Sequence, residues 1–170
     1  LERAKMLLAE HVDQIRDPGK PAILTQDQAY LMERMRSTGR NDHNHWTDGN
    51  WRSLVDTYGE LVATAFRDAA VRFWREFKPK TRSRGASTNQ MPYTVIFGLI
   101  GIAIEAREAE DWHKTLTPTE AAQAARYGLA ELNGFPVWFP DLYDAFPDAV
   151  ADVLLTEIQH ELKVEQAVGE

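Results

Sequence analysis

The chain has 170 residues, 44% of them hydrophobic and 26% charged, which is ordinary usage for a single globular domain. It contains no cysteine, so disulfides, thiolate zinc sites and a cysteine nucleophile are excluded, and this composition fits a reducing cytoplasm. The net charge of −7 argues against a nucleic-acid-binding protein, which would present a broad basic face.

The first half of the chain predicts three helices separated by turn residues. Apolar residues at helical spacing run over residues 1–15 and stop at Asp17-Pro18-Gly19. Thr25 predicts the N-cap of a second helix that ends near Gly39. From Trp51 to Pro79 the apolar spacing persists, which predicts one continuous helix of about seven turns.

The middle of the chain predicts a loop and then a buried helix. Residues 80–91 are rich in Ser, Thr and Gly and predict a mobile loop, after which the most hydrophobic helix spans residues 92–112. This helix is strongly apolar only over residues 95–104, well short of the ~20 residues that cross a bilayer, so we expect a core helix and no membrane association. Gly98 and Gly101 lower helix propensity and predict the close approach of a neighbour.

Residues 117–165 predict a repeat-like helical unit. Thr117-Pro118-Thr119-Glu120 combines an N-cap hydroxyl, a proline at the first helical position and a glutamate that completes a capping box. Gly134 supplies a helix stop, and Pro147-Asp148 begins a final helix. One apolar stripe is predicted along that helix: Val150, Val153, Leu154, Ile158 and Leu162.

No stretch of the chain shows the period-two pattern of a strand. Residues 1–170 therefore predict a single all-α domain of six to seven antiparallel helices. Its form is an irregular bundle or a short α-solenoid with a HEAT-like pair at the C-terminal end. The first residue is Leu1 and the pattern is helical from the start, so we expect a fragment of a longer protein without a signal peptide.

Charge is distributed unevenly along the chain. Residues 131–170 carry nine Asp or Glu and one basic residue, Lys163, whereas residues 72–84 carry six Lys or Arg and one acid. Arg82 and Arg84 in this basic stretch are candidates for contacting a phosphate or an acidic partner. The alternative is a solvated helix end whose cations lie near the negative end of the dipole.

Sequence motifs of catalysis are missing from the whole chain. It contains no Gly-x-x-x-x-Gly-Lys phosphate loop, no dinucleotide glycine pattern, no His-Glu-x-x-His zinc pair and no Gly-x-Ser-x-Gly elbow. We therefore expect no enzymatic activity and no cofactor.

A metal-dependent enzyme is the alternative. Two Glu-x-x-His pairs repeat a feature of di-iron four-helix proteins, and a loop with two neighbouring histidines could bind a first-row cation. A charged helix end, and a polar loop whose Asp48 caps the helix that starts at Trp51, explain the same residues without any metal. The residues of this alternative are Glu110, His113, Glu157, His160, His43 and His45.

Aromatic residues cluster around the two prolines of the connection that precedes the final helix. They are Phe135, Trp138, Phe139, Tyr143 and Phe146. One interpretation is the core of a short buried helix. The other is a protein-binding surface, for which Trp138, Phe139 and Tyr143 are the candidate anchors.

A resemblance to known proteins is carried by residues 126–158. The matching residues are Arg126-Tyr127, the run from Glu131 to Pro136, Trp138-Phe139, Pro147, Ala149-Val150, Val153-Leu154 and Glu157-Ile158. This segment resembles repeats in the helical parts of large bacterial NTPase-containing proteins of the NACHT or STAND type. The resemblance implies a helical sensor or scaffold arm attached to an NTPase module, in families where defence against phage is a common role. It carries over no catalytic residue.

These observations together predict a non-catalytic helical interaction or scaffold module of a larger bacterial protein in the cytoplasm. Its expected partners are another protein or neighbouring domains of the same chain.

Overall fold

The computed structural model describes residues 1–38, 48–88, 90–131 and 134–169, and the prediction of an all-α fold is confirmed over these residues. No strand occurs among them. The α-helices are α1 (Glu2–Glu10), α2 (Val12–Arg16), α3 (Gln26–Thr38), α4 (Val55–Tyr58), α5 (Glu60–Glu76), α6 (Tyr93–Glu108), α7 (Pro118–Gly128), α8 (Phe139–Ala145) and α9 (Pro147–Val168). Short 3-10 helices span Trp51–Leu54, Arg82–Arg84 and Trp112–Thr115.

The described residues contain more helices than the six or seven predicted, because two predicted helices are broken. The first breaks at His11, whose ψ of 12° leaves the helical range, and its imidazole Nδ1 lies 2.9 Å from a carboxylate oxygen of Asp27. The predicted continuous helix from Trp51 is wrong at Gly59. This glycine has φ 85° and ψ 160°, a conformation that L side chains rarely adopt, so α4 ends there and α5 starts anew.

Two predicted N-caps are present with their hydrogen bonds. The Thr117 hydroxyl accepts from the Glu120 amide at 3.2 Å, and the Glu120 carboxylate accepts from the Thr117 amide at 2.8 Å. Thr25 and Gln28 exchange the same pair of bonds at the start of α3. Each capping box satisfies amide groups that have no partner within the helix, which fixes where α3 and α7 begin.

α6 is the central helix, as its apolar sequence predicts. A Cβ at Gly101 would lie 2.0 Å from the carbonyl oxygen of Ala70, so only glycine lets α5 come this close. At Gly98 a Cβ would lie 2.2 Å from the Tyr127 ring of α7. The two glycines therefore set the distance from α6 to its neighbours on both sides, which confirms the predicted close approach.

Two apolar clusters share α6. The first, formed mainly by α2, α3, α5 and α6, includes Phe66, Phe73 and Phe97. The second joins α6 to α7, α8 and α9 around Trp74 and Trp112. α7 and α9 pack against each other and form the helical pair predicted at the C-terminal end. No helix in the described part of the chain is both long and apolar enough to cross a membrane.

The C-terminal end of α5 is closed by two side chains of α7. Gln123 Nε2 donates to the carbonyl oxygens of Trp74 at 2.9 Å and Phe77 at 2.9 Å, and the Tyr127 hydroxyl donates to Phe77 at 2.8 Å. These carbonyls have no partner within α5, so α7 completes the helix end while it packs against it. Burial raises the pKa of Tyr127, which keeps the phenol protonated as a donor.

Candidate functional site

The aromatic connection before α9 is largely core. Trp138 and Phe139 are buried, and the Trp138 ring meets Trp112 edge-on with centroids 5.7 Å apart. Phe135 is exposed and stacks on Phe139 at 4.4 Å. Of the three candidate anchors only Tyr143 is exposed to solvent. Trp138 and Phe139 contribute to the packing of the core and are not accessible to a partner.

Gly128 explains why this connection folds onto α7. A Cβ at this position would lie 2.6 Å from the Phe139 ring and 3.3 Å from the Trp138 ring. The absence of a side chain at Gly128 thus makes room for both aromatic rings against α7. A larger residue would push α8 away from α7.

The basic stretch is docked onto α9 through its 3-10 helix. The Ser83 amide donates to Glu157 Oε2 at 3.0 Å, and the Ser83 hydroxyl donates to the other oxygen of the same carboxylate. Arg82 Nε lies 3.0 Å from Glu161 Oε1. Thr81 is buried beside this contact. Of the two candidate arginines, Arg82 therefore already has an acidic partner within the chain. The mobility of residues 80–91 stays a prediction.

Glu157 is held charged by this docking. Burial acts to raise its pKa, but the hydrogen bonds from Ser83 and Thr81 and the charge of His160 together outweigh burial, so the pKa of Glu157 lies below its ordinary value. The carboxylate predicted as a possible metal ligand thus fastens the basic stretch to the last helix. Ser83 and Glu157 are 74 positions apart in the chain, so no local sequence pattern predicts the contact between them.

A polar cluster joins α5, α6 and α7. Arg75 donates to Glu105 at 2.9 Å through Nη1 and to Glu120 at 2.8 Å through Nε. Trp74 Nε1 donates to Glu105 at 2.7 Å, and Trp112 Nε1 at 3.4 Å. The sequence analysis did not predict this cluster, in which the carboxylates of Glu105 and Glu120 both accept hydrogen bonds.

The residues of the metal alternative are not gathered by the structure. The helical spacing that would put Glu110 and His113 on one face is lost, because the chain leaves α6 at Ala109 with φ −132° and ψ 114°. Glu157 and His160 do lie on one helix, but Glu157 is bound to Ser83. His43 and His45 lie outside the described residues. Within the described ranges, no three His, Cys, Asp or Glu side chains are arranged to hold a metal ion.

The outer face of α9 is an apolar surface that nothing covers among the described residues. The predicted stripe is buried only at its start, where Val150 and Val153 pack into the second cluster. Farther along, Ile158 and Leu162 of the predicted stripe are 53% and 54% exposed, and Leu155, which was not part of the prediction, is 56% exposed. We call these three residues the outer face.

Helix geometry separates the outer face from the packed face. Leu155 follows Val153 by two residues, which is about 200° around an α-helix, so the two side chains point to opposite sides. Leu155, Ile158 and Leu162 are spaced by three and four residues, the spacing that aligns side chains along one helix face. The 22 residues of α9 make it about 33 Å long, and most of its C-terminal half is exposed.

Acidic side chains border the outer face. Asp152 lies three residues before Leu155, and Glu165 lies three residues after Leu162, so each is next to the stripe on the helix surface. Both carboxylates are exposed. The result is an apolar stripe on a helix with negatively charged edges.

Comparison of the chain with protein-family models, with curated proteins and with solved structures gives no significant match.

Proposed function

We propose that the protein is a non-catalytic helical interaction module and that the outer face of α9 is its docking surface. The observation that carries this proposal is the row of three large apolar side chains, each more than half exposed, on a well-formed helix. A contiguous exposed apolar stripe with polar edges is the usual appearance of a surface that binds another protein. Helix-in-groove and helix-on-helix recognition use anchors with this same spacing.

The charge pattern around the stripe supports a partner with basic side chains. Asp152 and Glu165 border the stripe, and the last 40 residues contain nine acids and only Lys163 as a basic residue. A partner helix with leucine-like anchors and Lys or Arg beside them would pair these carboxylates at the edge of the contact. Such complementarity gives specificity and faster association more than it gives affinity.

A second copy of this chain fits the surface poorly. Pairing two outer faces would bring two acidic borders together, in either helix orientation, because both ends of the stripe are acidic. Like charges placed against each other across an interface cost several kcal/mol. We therefore propose a basic amphipathic helix and not self-association.

The wider setting follows from the resemblance of residues 126–158. We place the module in a larger bacterial NTPase-containing protein, in the cytoplasm, where it binds a separate protein or a neighbouring domain. The packing of α7 against α9, the two helices in which this segment begins and ends, supports this proposal.

Peptide binding tests the proposal. The probe is a fluorescein-labelled helical peptide with leucine at the a and d positions of a heptad repeat and lysine at e and g. The matched control peptide has glutamate in place of lysine. By fluorescence anisotropy, we expect the protein to bind the lysine peptide and not the glutamate peptide. Binding of the lysine peptide should weaken at high salt, because salt screens the charges at the edge of the contact.

Two protein variants locate the binding. In the triple variant Leu155→Ser, Ile158→Ser and Leu162→Ser we expect binding to the lysine peptide to be lost. Leu61→Ser, at a leucine on α5 that is 72% exposed, is the control and should bind as the wild type does. Equal binding by the triple variant, or an equal loss in the Leu61→Ser control, would overturn the proposal.

A further inference from the structure

A row of glutamates runs along the edge of α9 next to the outer face. Glu157, Glu161 and Glu165 are spaced by four residues, which places their side chains one above another on the helix surface. Glu161 follows Ile158 by three residues, and Glu165 follows Leu162 by three, so both carboxylates lie beside the apolar stripe. Like charges at this spacing repel each other, so the row favours positively charged groups beside it.

The basic stretch covers the first two carboxylates of this row. The Ser83 amide and hydroxyl donate to Glu157, and Arg82 Nε lies 3.0 Å from Glu161 Oε1. The side chains of Arg82 and Glu161 are 45% and 42% exposed, so a partner can reach their ion pair. Glu165 forms no ion pair with a described residue. The chain thus already pairs the edge of the outer face with an arginine of its own.

Arg82 and the proposed partner need the same carboxylate. A basic amphipathic helix on the outer face brings Lys or Arg to the edge of the stripe, where Glu161 lies next to Ile158. Two cations on one carboxylate repel each other, so the partner's basic side chain pairs fully with Glu161 only when Arg82 moves away. The ion pair of Arg82 is therefore lost on binding.

We propose that Arg82 is an internal competitor of the partner: it pairs with Glu161 in the free protein, and on binding the partner's basic side chain takes its place. This inference rests on the proposed docking surface. An exposed ion pair is weak enough for a partner to replace, yet its loss lowers the affinity of the partner by about two- to fivefold. The basic stretch thus weakens the docking of basic helices without covering the apolar stripe.

Fluorescence anisotropy with the lysine peptide tests the competition. Arg82→Gln removes the guanidinium charge but leaves both hydrogen bonds from Ser83 to Glu157 in place, so the 3-10 helix stays docked. We expect this variant to bind the peptide about two- to fivefold tighter than the wild type does. Arg84→Gln is the matched control and should bind as the wild type does. Arg84 is an exposed arginine of the same 3-10 helix and forms no ion pair with a described residue.

A double-mutant cycle shows whether the effect depends on Glu161. In the Glu161→Gln background the carboxylate for which the two cations compete is missing, so Arg82→Gln should no longer tighten binding. A thermal melt without peptide checks that each variant folds.

The outcomes separate the competition from the docking surface. Binding by the wild type without a gain in Arg82→Gln overturns the competition and leaves the docking surface standing. An equal gain in Arg84→Gln, or an undiminished gain in the Glu161→Gln background, also overturns the competition, because the effect then comes from net charge. No binding by the wild type or by any variant contradicts the docking surface itself, and the competition fails with it.

Discussion

The contrast between the two faces of α9 gives a quantitative prediction. Val153 is 6% exposed and Ile158 is 53% exposed on the same helix. Val153→Ala removes two buried carbons, worth about 0.8 kcal/mol each, and leaves a small cavity, so we expect unfolding to become easier by about 2 kcal/mol. Ile158→Ala removes three carbons that are already largely in water, and alanine is the better helix former, so we expect a change within about 0.5 kcal/mol.

Urea denaturation followed by circular dichroism measures both changes. The two variants must show the same slope with urea, so that the difference in midpoint reports stability. A loss at Ile158 as large as that at Val153 would mean that the outer face is already covered in the isolated protein. The face would then not be free to bind a partner, and the reasoning behind the proposed docking surface would fail.

Three further predictions concern the contacts that build the fold. Gly101→Ala should destabilise the protein by about 1–3 kcal/mol in urea denaturation, because the new Cβ meets a backbone carbonyl of α5, and a stabilised variant would refute the close approach. Thr117→Ala should cost about 1 kcal/mol in the same assay by removing the N-cap of α7, and no change would show that the cap is dispensable. Glu157 has a lowered pKa in the folded state, so its stabilising effect is present above pH ~4.3 and lost as the pH falls. Glu157→Gln should therefore cost about 1 kcal/mol at pH 7 and less toward pH 3, and a cost independent of pH would contradict the charged contact with Ser83.

Local patterns in the sequence predicted the helices well wherever a short signal decides the structure. The capping box at Thr117 is one example, because its hydrogen bonds lie within the first turn of α7. The glycines of α6 are another, because each allows one close contact with a neighbouring helix. The break at Gly59 was missed for a related reason. Apolar spacing continues across it, and spacing alone does not report that the backbone there takes a positive φ.

The candidate site was harder to predict, because it depends on contacts between distant residues. The docking of Ser83 on Glu157 and the pairing of Arg75 with Glu105 join elements whose approach is set by packing. Ile158 and Leu162 of the outer face were predicted as part of an apolar stripe, whereas Leu155 was not. The sequence also did not predict which part of the stripe is covered, since that depends on how far the neighbouring helices reach. Sequence reasoning therefore located the last helix and left its outer face to be found in the structure.

The most direct test of the docking surface is a 1H–15N NMR titration of the protein with the lysine peptide. We predict that amide signals of α9 from Leu155 to Glu165 shift during the titration, while those of the central helix α6 remain unchanged. Shifts confined to other helices, or no shifts at peptide concentrations that saturate the fluorescence signal, would contradict the assignment of the outer face as the binding surface.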